Sequence, residues 1–256
     1  MSDFIPIPER QKQILSLHSR QGRLSVAEVV RQFSISQATA RRDLGLLASQ
    51  GKAQRVHGGV IAIEHAPPEL PILERTSAES VEKARIGRAA AERIADKDTV
   101  FISSGTTALE VARNLRGRCL TVITNSLPVL NMLAGERDIT VISLGGMLRD
   151  SELSFIGHIT EQALAEVRVD KVIMGTRALS LEHGLTNDYM QETLTDRAIL
   201  KIGREVIIVA DHTKINRAAT ALLAPLKSIH TLVTDSRSDR KFLQALKRQG
   251  ITVIVA

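Results

Sequence analysis

Residues 24–59 read LSVAEVVRQFSISQATARRDLGLLASQGKAQRVHGG, the pattern of two short helices joined by a tight turn and followed by a basic, glycine-ended β-ribbon. Ser25 can cap the first helix by accepting from the free N–H groups of its first turn, and Val26, Val29, Val30 and Phe33 then recur at helical spacing. The pattern predicts a helix from about Val26 to Gln32. The FSIS segment, residues 33–36, breaks it, and Ser36 can cap a second helix whose apolar stripe is Ala40, Leu44 and Leu47. Gln37, Thr39, Arg41 and Arg42 fall on the opposite face. An upstream helix, about Glu9–Arg20, is expected to add Ile14, Leu15 and Leu17 to a small three-helix core. Gly51 ends the second helix, and the following KAQRVHGGVIAI run, β-branched around a Gly-Gly turn, predicts a hairpin wing. A capped helix pair with a wing is a device for reading DNA.

Charge separates this fragment from an ordinary helical hairpin. Residues 1–63 hold nine Lys and Arg against four Asp and Glu, so +5 of the chain's formal +6 belongs to them and the remainder is close to neutral. That is the electrostatic footprint expected of phosphate-backbone binding. A solvated basic face on a protein-docking helix pair accounts for the charge but not for the capped turn and wing in one fragment.

A chain of 256 residues has room for a module of about 60 residues plus one sizeable domain. No apolar run approaches the ~20 residues needed to span a bilayer, and the start, MSDFIPIPER, lacks the cationic head and apolar core of a signal peptide. A soluble, cytoplasmic protein is expected. Cys119 is the only cysteine, which excludes an internal disulfide and a Cys-based metal cage, and a buried, inert thiol is the default expectation. The seven histidines show no ligand spacing, so neither a metal nor a cofactor is expected.

After Ile63 the composition changes to EHAPPELPILERTS, where Pro67, Pro68 and Pro71 stiffen an extended connection. The expected division is therefore a winged helix-turn-helix over residues 1–63, a linker over 64–78, and an effector domain over 79–256. In the last, β-rich runs at 99–103, 120–124, 139–144, 171–176, 205–210, 230–235 and 252–256 alternate with amphipathic stretches such as 106–116, 126–134, 158–168, 190–203 and 238–249. Near-continuous apolar strands separated by helix-length connections predict an α/β fold with a mostly parallel sheet covered on both faces. In such sheets the ligand crevice lies at the carboxyl ends of the strands.

The loops at those ends carry the polar chemistry. Ser103-Ser104-Gly105-Thr106-Thr107 follows the first strand and opens a helix, so N–H groups and hydroxyls converge at a positive dipole end that suits a phosphate. A structural cap is the bland reading of any one such motif. Here three more polar or glycine-bearing loops fall at the same edge: Thr124-Asn125-Ser126, Leu144-Gly145-Gly146 and Asp211-His212-Thr213-Lys214. Lys83 and Lys214 can supply positive charge, and Asp211 can accept hydrogen bonds from a polyol.

Taken together, TARRDLGLLASQGKAQRVHGG followed by SSGTT, TNS, LGG, HGLT and DHTK resembles the DeoR family of bacterial transcriptional regulators, in order along nearly the whole chain. The resemblance implies an N-terminal winged helix-turn-helix and an effector domain with the fold of ribose-5-phosphate isomerase. It further implies repression of an operon for sugar or sugar-derivative catabolism, with a phosphorylated sugar or polyol as inducer. Carried onto this chain, the recognition helix is Ser36–Leu47, with Ser36, Gln37, Thr39, Arg41 and Arg42 facing double-stranded DNA and Arg55 and His57 in the wing. The phosphate loop corresponds to Gly105, Thr106 and Thr107 beside Ser104, with Lys83 as the preceding basic residue and the DHTK stretch lining the sugar pocket. A palindromic operator read by a homodimer or higher homo-oligomer follows from the usual symmetry.

Three positions depart from the family pattern. Ser103 stands where an Asp is common, Ser34 replaces the usual turn glycine, and Gly175-Thr176-Arg177-Ala178 replaces GVDG or GVDA. Arg177 can pair an effector carboxylate or second phosphate, or form a structural salt bridge. The isomerases use a DGAD-type motif, and the corresponding Met174-Gly175-Thr176-Arg177 has neither acid, which leaves Glu192 as a crevice carboxylate with the wrong neighbours for catalysis. Binding without turnover is therefore expected. The competing reading is a sugar-phosphate isomerase with an accessory DNA-binding module, and a weaker third reading makes the N-terminal module a protein-docking element.

Overall fold

The computed structural model describes residues 70–256 throughout and, before them, residues 9–11, 13, 14, 17 and 23–49 together with the backbones of residues 54–56, 59–61 and 64–65. Two compact units result, Met1–His65 and Ala66–Ala256.

In the first unit, β1 (Arg23–Ser25) leads into α1 (Val26–Phe33) and α2 (Gln37–Ser49), followed by β2 (Gln54–Val56) and β3 (Gly59–Ile61). Ser25 and Glu28 form a reciprocal capping box: the Glu28 N–H donates to Ser25 Oγ at 3.2 Å and the Ser25 N–H to Glu28 Oε2 at 2.7 Å. Ser34 ends α1 in the left-handed region, at φ 51° and ψ 40°, a conformation that a glycine adopts without strain. The turn is retained at some cost in backbone energy. The second helix is capped by Ser36, whose Oγ accepts from the Thr39 N–H at 3.1 Å. Ile14, Leu24, Val29, Ala40, Leu44 and Leu47 form the core, and the wing pairs antiparallel in the order β1-β3-β2. Leu15 and Gly51 lie outside the described residues.

The second unit runs α3 (Ser80–Ala91), β4 (Thr99–Ile102), α4 (Thr106–Arg113), β5 (Leu120–Thr124), α5 (Leu127–Leu133), β6 (Ile139–Ser143), β7 (Met147–Arg149), β8 (Ser154–Ile156), α6 (His158–Ala165), β9 (Val169–Gly175), β10 (Ala178–Ser180), β11 (Gly184–Asn187), α7 (Met190–Ile202), β12 (Gly203–Val209), β13 (Ala221–Ala224), β14 (Thr231–Thr234), α8 (Arg240–Arg248) and β15 (Thr252–Val255). Seven strands form one sheet in the order β15-β14-β12-β9-β4-β5-β6, with every neighbouring pair parallel. These are the seven apolar runs of the sequence, displaced by no more than two residues at either end.

Alternation along the strands builds a core on each face. Val100, Ile102, Ile173, Ile207 and Val209 pack with α3, α4 and α5, whereas Phe101, Val172, Met174, Val206 and Ile208 pack with α6, α7 and α8. Burial on both faces is why these strands read as unbroken apolar runs. Two smaller pieces carry no such signal: the β7–β8 hairpin and the antiparallel β10-β11-β13 sheet. Cys119 is exposed, contrary to expectation. It precedes β5 in the connection from α4, outside the inward-facing positions, and its carbonyl accepts from the Lys97 N–H at 2.7 Å. Among the described residues, no helix is long and apolar enough to cross a membrane.

Candidate functional site

The sheet reverses direction of growth at β4: β5 and β6 lie on one side of it, β9 and β12 on the other. At such a switch point, successive connections diverge and open a crevice beyond the carboxyl ends of the strands. A cavity of about 290 Å³ occupies it. Its walls come from the loops after β4 (Ser103 to Thr107), β9 (Gly175 to Arg177) and β12 (Ala210, Asp211, Thr213 and Lys214), from Arg75, Glu79 and Lys83, and from Glu152, Asn187, Glu192 and Asp196.

One part of this lining suits an anion. Gly105 precedes α4 at φ 111° and ψ 151°, outside the range of ordinary side chains, and among the described residues no side chain caps the helix. The N–H groups of the first turn therefore have no side-chain acceptor at the positive end of the dipole. Thr106 and Thr107 are each only 8% exposed, and neither hydroxyl has a hydrogen-bond partner among the described residues. Lys83 is buried, and its Nζ donates to the Arg75 carbonyl at 3.0 Å and to the Ala78 carbonyl. Burial lowers the pKa of this ammonium, while the negative charge of Asp211 acts in the opposite sense. Asp211 Oδ1 accepts from the Thr213 N–H at 2.9 Å and from the Thr213 hydroxyl, fixing the turn that presents Lys214. Asp235 anchors the same turn by accepting from the His212 N–H at 2.7 Å.

Another part is a set of paired charges. Arg177 Nε donates to Asp188 Oδ2 at 2.6 Å, so of the roles open to Arg177 this structure displays the salt bridge. Arg75 pairs with Glu152, and Arg149 pairs with Glu192 while lying 4.6 Å from the centroid of the Tyr189 ring. Asn187 Nδ2 donates to Glu192 Oε2 at 3.2 Å and to Asp196 Oδ2 at 3.1 Å. Burial, reinforced by the charge of Glu192, pushes the Asp196 carboxyl well above the usual carboxylate range. Arg75, Glu152, Asn187 and Asp196 have no motif in the sequence to mark them. They reach the cavity through the segment before α3, the β7–β8 loop, β11 and α7.

Of the expected effector residues, Lys83, Ser104, Gly105, Thr106, Thr107, Arg177, Asp211 and Lys214 converge on the cavity, and Thr124, Asn125, Ser126, Gly145 and Gly146 do not. The latter loops follow β5 and β6, one and two strands outward from the switch point. The β7–β8 hairpin engages the first of them: Asn125 Nδ2 donates to the Phe155 carbonyl at 3.0 Å and the Phe155 N–H to the Asn125 carbonyl at 2.7 Å. Thr124 Oγ1 donates to the Ile102 carbonyl at 2.7 Å, and Ser126 caps α5. Gly145 accepts from Thr160 Oγ1 at 2.7 Å, and a Cβ on Gly146 would overlap that same Thr160 hydroxyl. Gly146→Ala is therefore expected to destabilise the protein by about 1–3 kcal/mol through overpacking, without changing ligand affinity at the cavity. Urea denaturation and calorimetry check the two halves of that expectation.

On the first unit, Gln37, Arg41 and Arg42 are exposed on α2, opposite its buried Ala40, Leu44 and Leu47. Ser36 and Thr39 share a hydroxyl–hydroxyl contact of 2.9 Å in the cap, so they position the helix as well as bordering its outer face. Arg55 contributes its backbone to β2, and His57 lies outside the described residues. Arg10, one of the nine cations of the module, is buried against Asp43 with Nε to Oδ2 at 2.7 Å. Its charge belongs to the core of the unit and not to the exposed face of the module.

Two family models match the chain: a DeoR-like helix-turn-helix domain over residues 10–66 and a DeoR C-terminal sensor domain over residues 78–236. The chain belongs to the DeoR family. Its relatives include the transcriptional repressor AccR of Agrobacterium fabrum, 33% identical with 91% of each chain covered. The glycerol-3-phosphate regulon repressor of Escherichia coli is 34% identical, covering 93% of this chain and 94% of that protein. Among solved structures, ribose-5-phosphate isomerase A from Neisseria gonorrhoeae is similar over 52% of each chain at 18% identity, with a TM-score of 0.39. Membership of the DeoR family makes this protein a DNA-binding transcription regulator with a sensor domain, not an enzyme, and removes the isomerase alternative.

Proposed function

We propose that this DeoR-family regulator represses an operon for the catabolism of a sugar or sugar derivative, and that a phosphorylated sugar or polyol releases it from DNA. The observation that carries this reading is the α4 amino terminus, where Thr106 and Thr107 are buried and lack hydrogen-bond partners among the described residues, beside Lys83 in the same cavity. A phosphate there would exchange its hydration for helix N–H groups, two hydroxyls and a buried ammonium. Two relatives, a glycerol-3-phosphate regulon repressor and a putative aga operon transcriptional repressor, agree with a sugar-derived signal.

On the DNA side, α2 would enter the major groove with Gln37, Arg41 and Arg42 nearest the base edges, supported by Ser36 and Thr39 and with Arg55 and His57 on the wing. The working division remains a reader over residues 1–63, a linker over 64–78 and a sensor over 79–256. The setting is the cytoplasm, and the assembly is a homodimer or higher homo-oligomer on a palindromic site. Residues 1–63 alone are expected to bind DNA weakly and without sequence preference, because one module reaches one half-site and few phosphates. Fluorescence anisotropy with a palindromic operator, selected on the full chain, tests this. Equal specific affinity for the isolated module and the full chain would remove the sensor domain from operator recognition.

A further inference from the structure

The geometry points to Glu192, Asn187 and Asp196 as the specificity element of the cavity, selecting phosphorylated ligands that carry hydroxyl groups away from the phosphate over those that carry a carboxylate there. This rests on the phosphate reading of the α4 amino terminus and adds to it the chemistry of the rest of the ligand.

The Asn187 amide has a fixed orientation. Its Oδ1 accepts from the Asp188 N–H at 2.8 Å, which turns the NH2 group toward Glu192 Oε2 and Asp196 Oδ2 at 3.2 and 3.1 Å. Two carboxyl groups are thereby gathered around one nitrogen in a buried wall, and such a pair does not hold two negative charges comfortably. Glu192 is matched by Arg149, whereas burial and the neighbouring negative charges of Glu192 and Glu152 raise the Asp196 carboxyl well above the usual carboxylate range. The wall thus gathers carboxyl oxygens of two acids around one amide, groups that accept hydrogen bonds from a hydroxyl-bearing carbon chain.

A ligand carboxylate fits the same wall badly. It would add a further negative charge beside Glu192 and Glu152. The guanidinium groups near it are already matched by acids: Arg75 by Glu152, Arg149 by Glu192 and Arg177 by Asp188. Lys83 donates to the neutral carbonyls of Arg75 and Ala78, lies in the field of Asp211, and is assigned to the phosphate at Thr106 and Thr107. That the cavity accommodates a ligand at all is indicated independently by those two threonines, more than nine-tenths buried and without side-chain hydrogen bonds among the described residues.

Calorimetry on the full chain at pH 7.5 with two matched pairs tests the inference: glycerol 3-phosphate against 3-phosphoglycerate, and glucitol 6-phosphate against 6-phosphogluconate. Within each pair, taken with the same configuration at every shared carbon, only a CH2OH group is exchanged for a carboxylate. The alcohol is expected to bind at least about tenfold more tightly in one or both pairs, the cost of placing like charges together. Asp196→Asn and Glu192→Gln each keep the shape of the wall while replacing a carboxyl by a neutral amide. The double variant, and Asp196→Asn alone should the double variant fail to fold, is expected to narrow the preference severalfold. Equal or tighter binding of both acids overturns the proposal, as does a preference unchanged in a folded variant, or inorganic phosphate binding while neither pair binds. Thr106→Val with Thr107→Val separates the two levels. If ligand affinity ignores that change, the phosphate reading fails; if affinity falls but the alcohol preference does not depend on Asp196 and Glu192, only the present inference fails. Absence of binding by inorganic phosphate and all four ligands overturns both.

Discussion

Arg41→Ala and Arg42→Ala, each made in the full chain, are expected to weaken operator binding while leaving the fold intact. Both guanidinium groups are exposed on α2, neither makes an ion pair among the described residues, and the helix is anchored through its opposite face by Ala40, Leu44 and Leu47, which are at most 3% exposed. Truncation is therefore expected to remove a DNA contact without opening the core. An arginine on a phosphate should lower the slope of log affinity against log salt by about 1 and weaken all sequences alike, whereas one bidentate to a base should cost about 1–3 kcal/mol at a single base position. Anisotropy titrations at several salt concentrations, against operator and scrambled DNA, distinguish these outcomes. Wild-type affinity in both folded variants would contradict the placement of α2 on DNA.

The second large effect concerns release. Thr106→Val with Thr107→Val keeps the β-branch, and hence the packing at the start of α4, but removes both hydroxyls from the cavity. The variant is expected to bind operator as the wild type does and no longer to be released by the inducing sugar phosphate. Each hydroxyl-to-phosphate hydrogen bond is worth roughly 1.5–3 kcal/mol, so losing two should lower ligand affinity by at least about tenfold. Replacing Lys83 is a less clean test, because its ammonium also holds the carbonyls of Arg75 and Ala78. Calorimetry for the ligand and anisotropy for the DNA, on the same preparation, separate the two functions. Unchanged ligand affinity would place the effector elsewhere.

What the sequence discloses follows from which signals are local. The helix caps at Ser25 and Ser36 are read from neighbouring residues, and both stand in the structure, whereas Ser34 stands out only against the family's turn glycine and takes the left-handed conformation. The seven strands are legible because burial on both faces writes a continuous apolar run. Loops at the carboxyl edge are legible as a set, but strand order decides which of them meet. With β4 at the switch point, the loops after β4, β9 and β12 share a cavity, while Asn125 and Gly146 are drawn into packing against the β7–β8 hairpin and α6. Two three-residue strands give no periodicity from which to foresee that hairpin. Asp196, Asn187, Arg75 and Glu152 are silent in the sequence for the same reason: their partners lie on other elements, and only tertiary packing joins them. Arg10 shows the reverse, a charge that counts toward a basic module yet is buried in it.

The central claim is that one cavity senses a phosphorylated sugar or polyol and thereby sets affinity for DNA, and thermodynamic linkage gives it a direct test. If an inducer lowers operator affinity by a factor, operator must lower inducer affinity by the same factor. The decisive measurement is the dissociation constant of the inducing sugar phosphate for the full-length protein, free and saturated with operator, alongside that of operator for the protein, free and saturated with inducer. The two ratios are expected to be equal and to exceed about fivefold, while the Thr106→Val, Thr107→Val variant requires at least about tenfold more ligand for the same release. A sugar phosphate that binds equally well to free and operator-bound protein, with its affinity dependent on Thr106 and Thr107, would contradict the account: the cavity would hold the ligand without controlling the DNA.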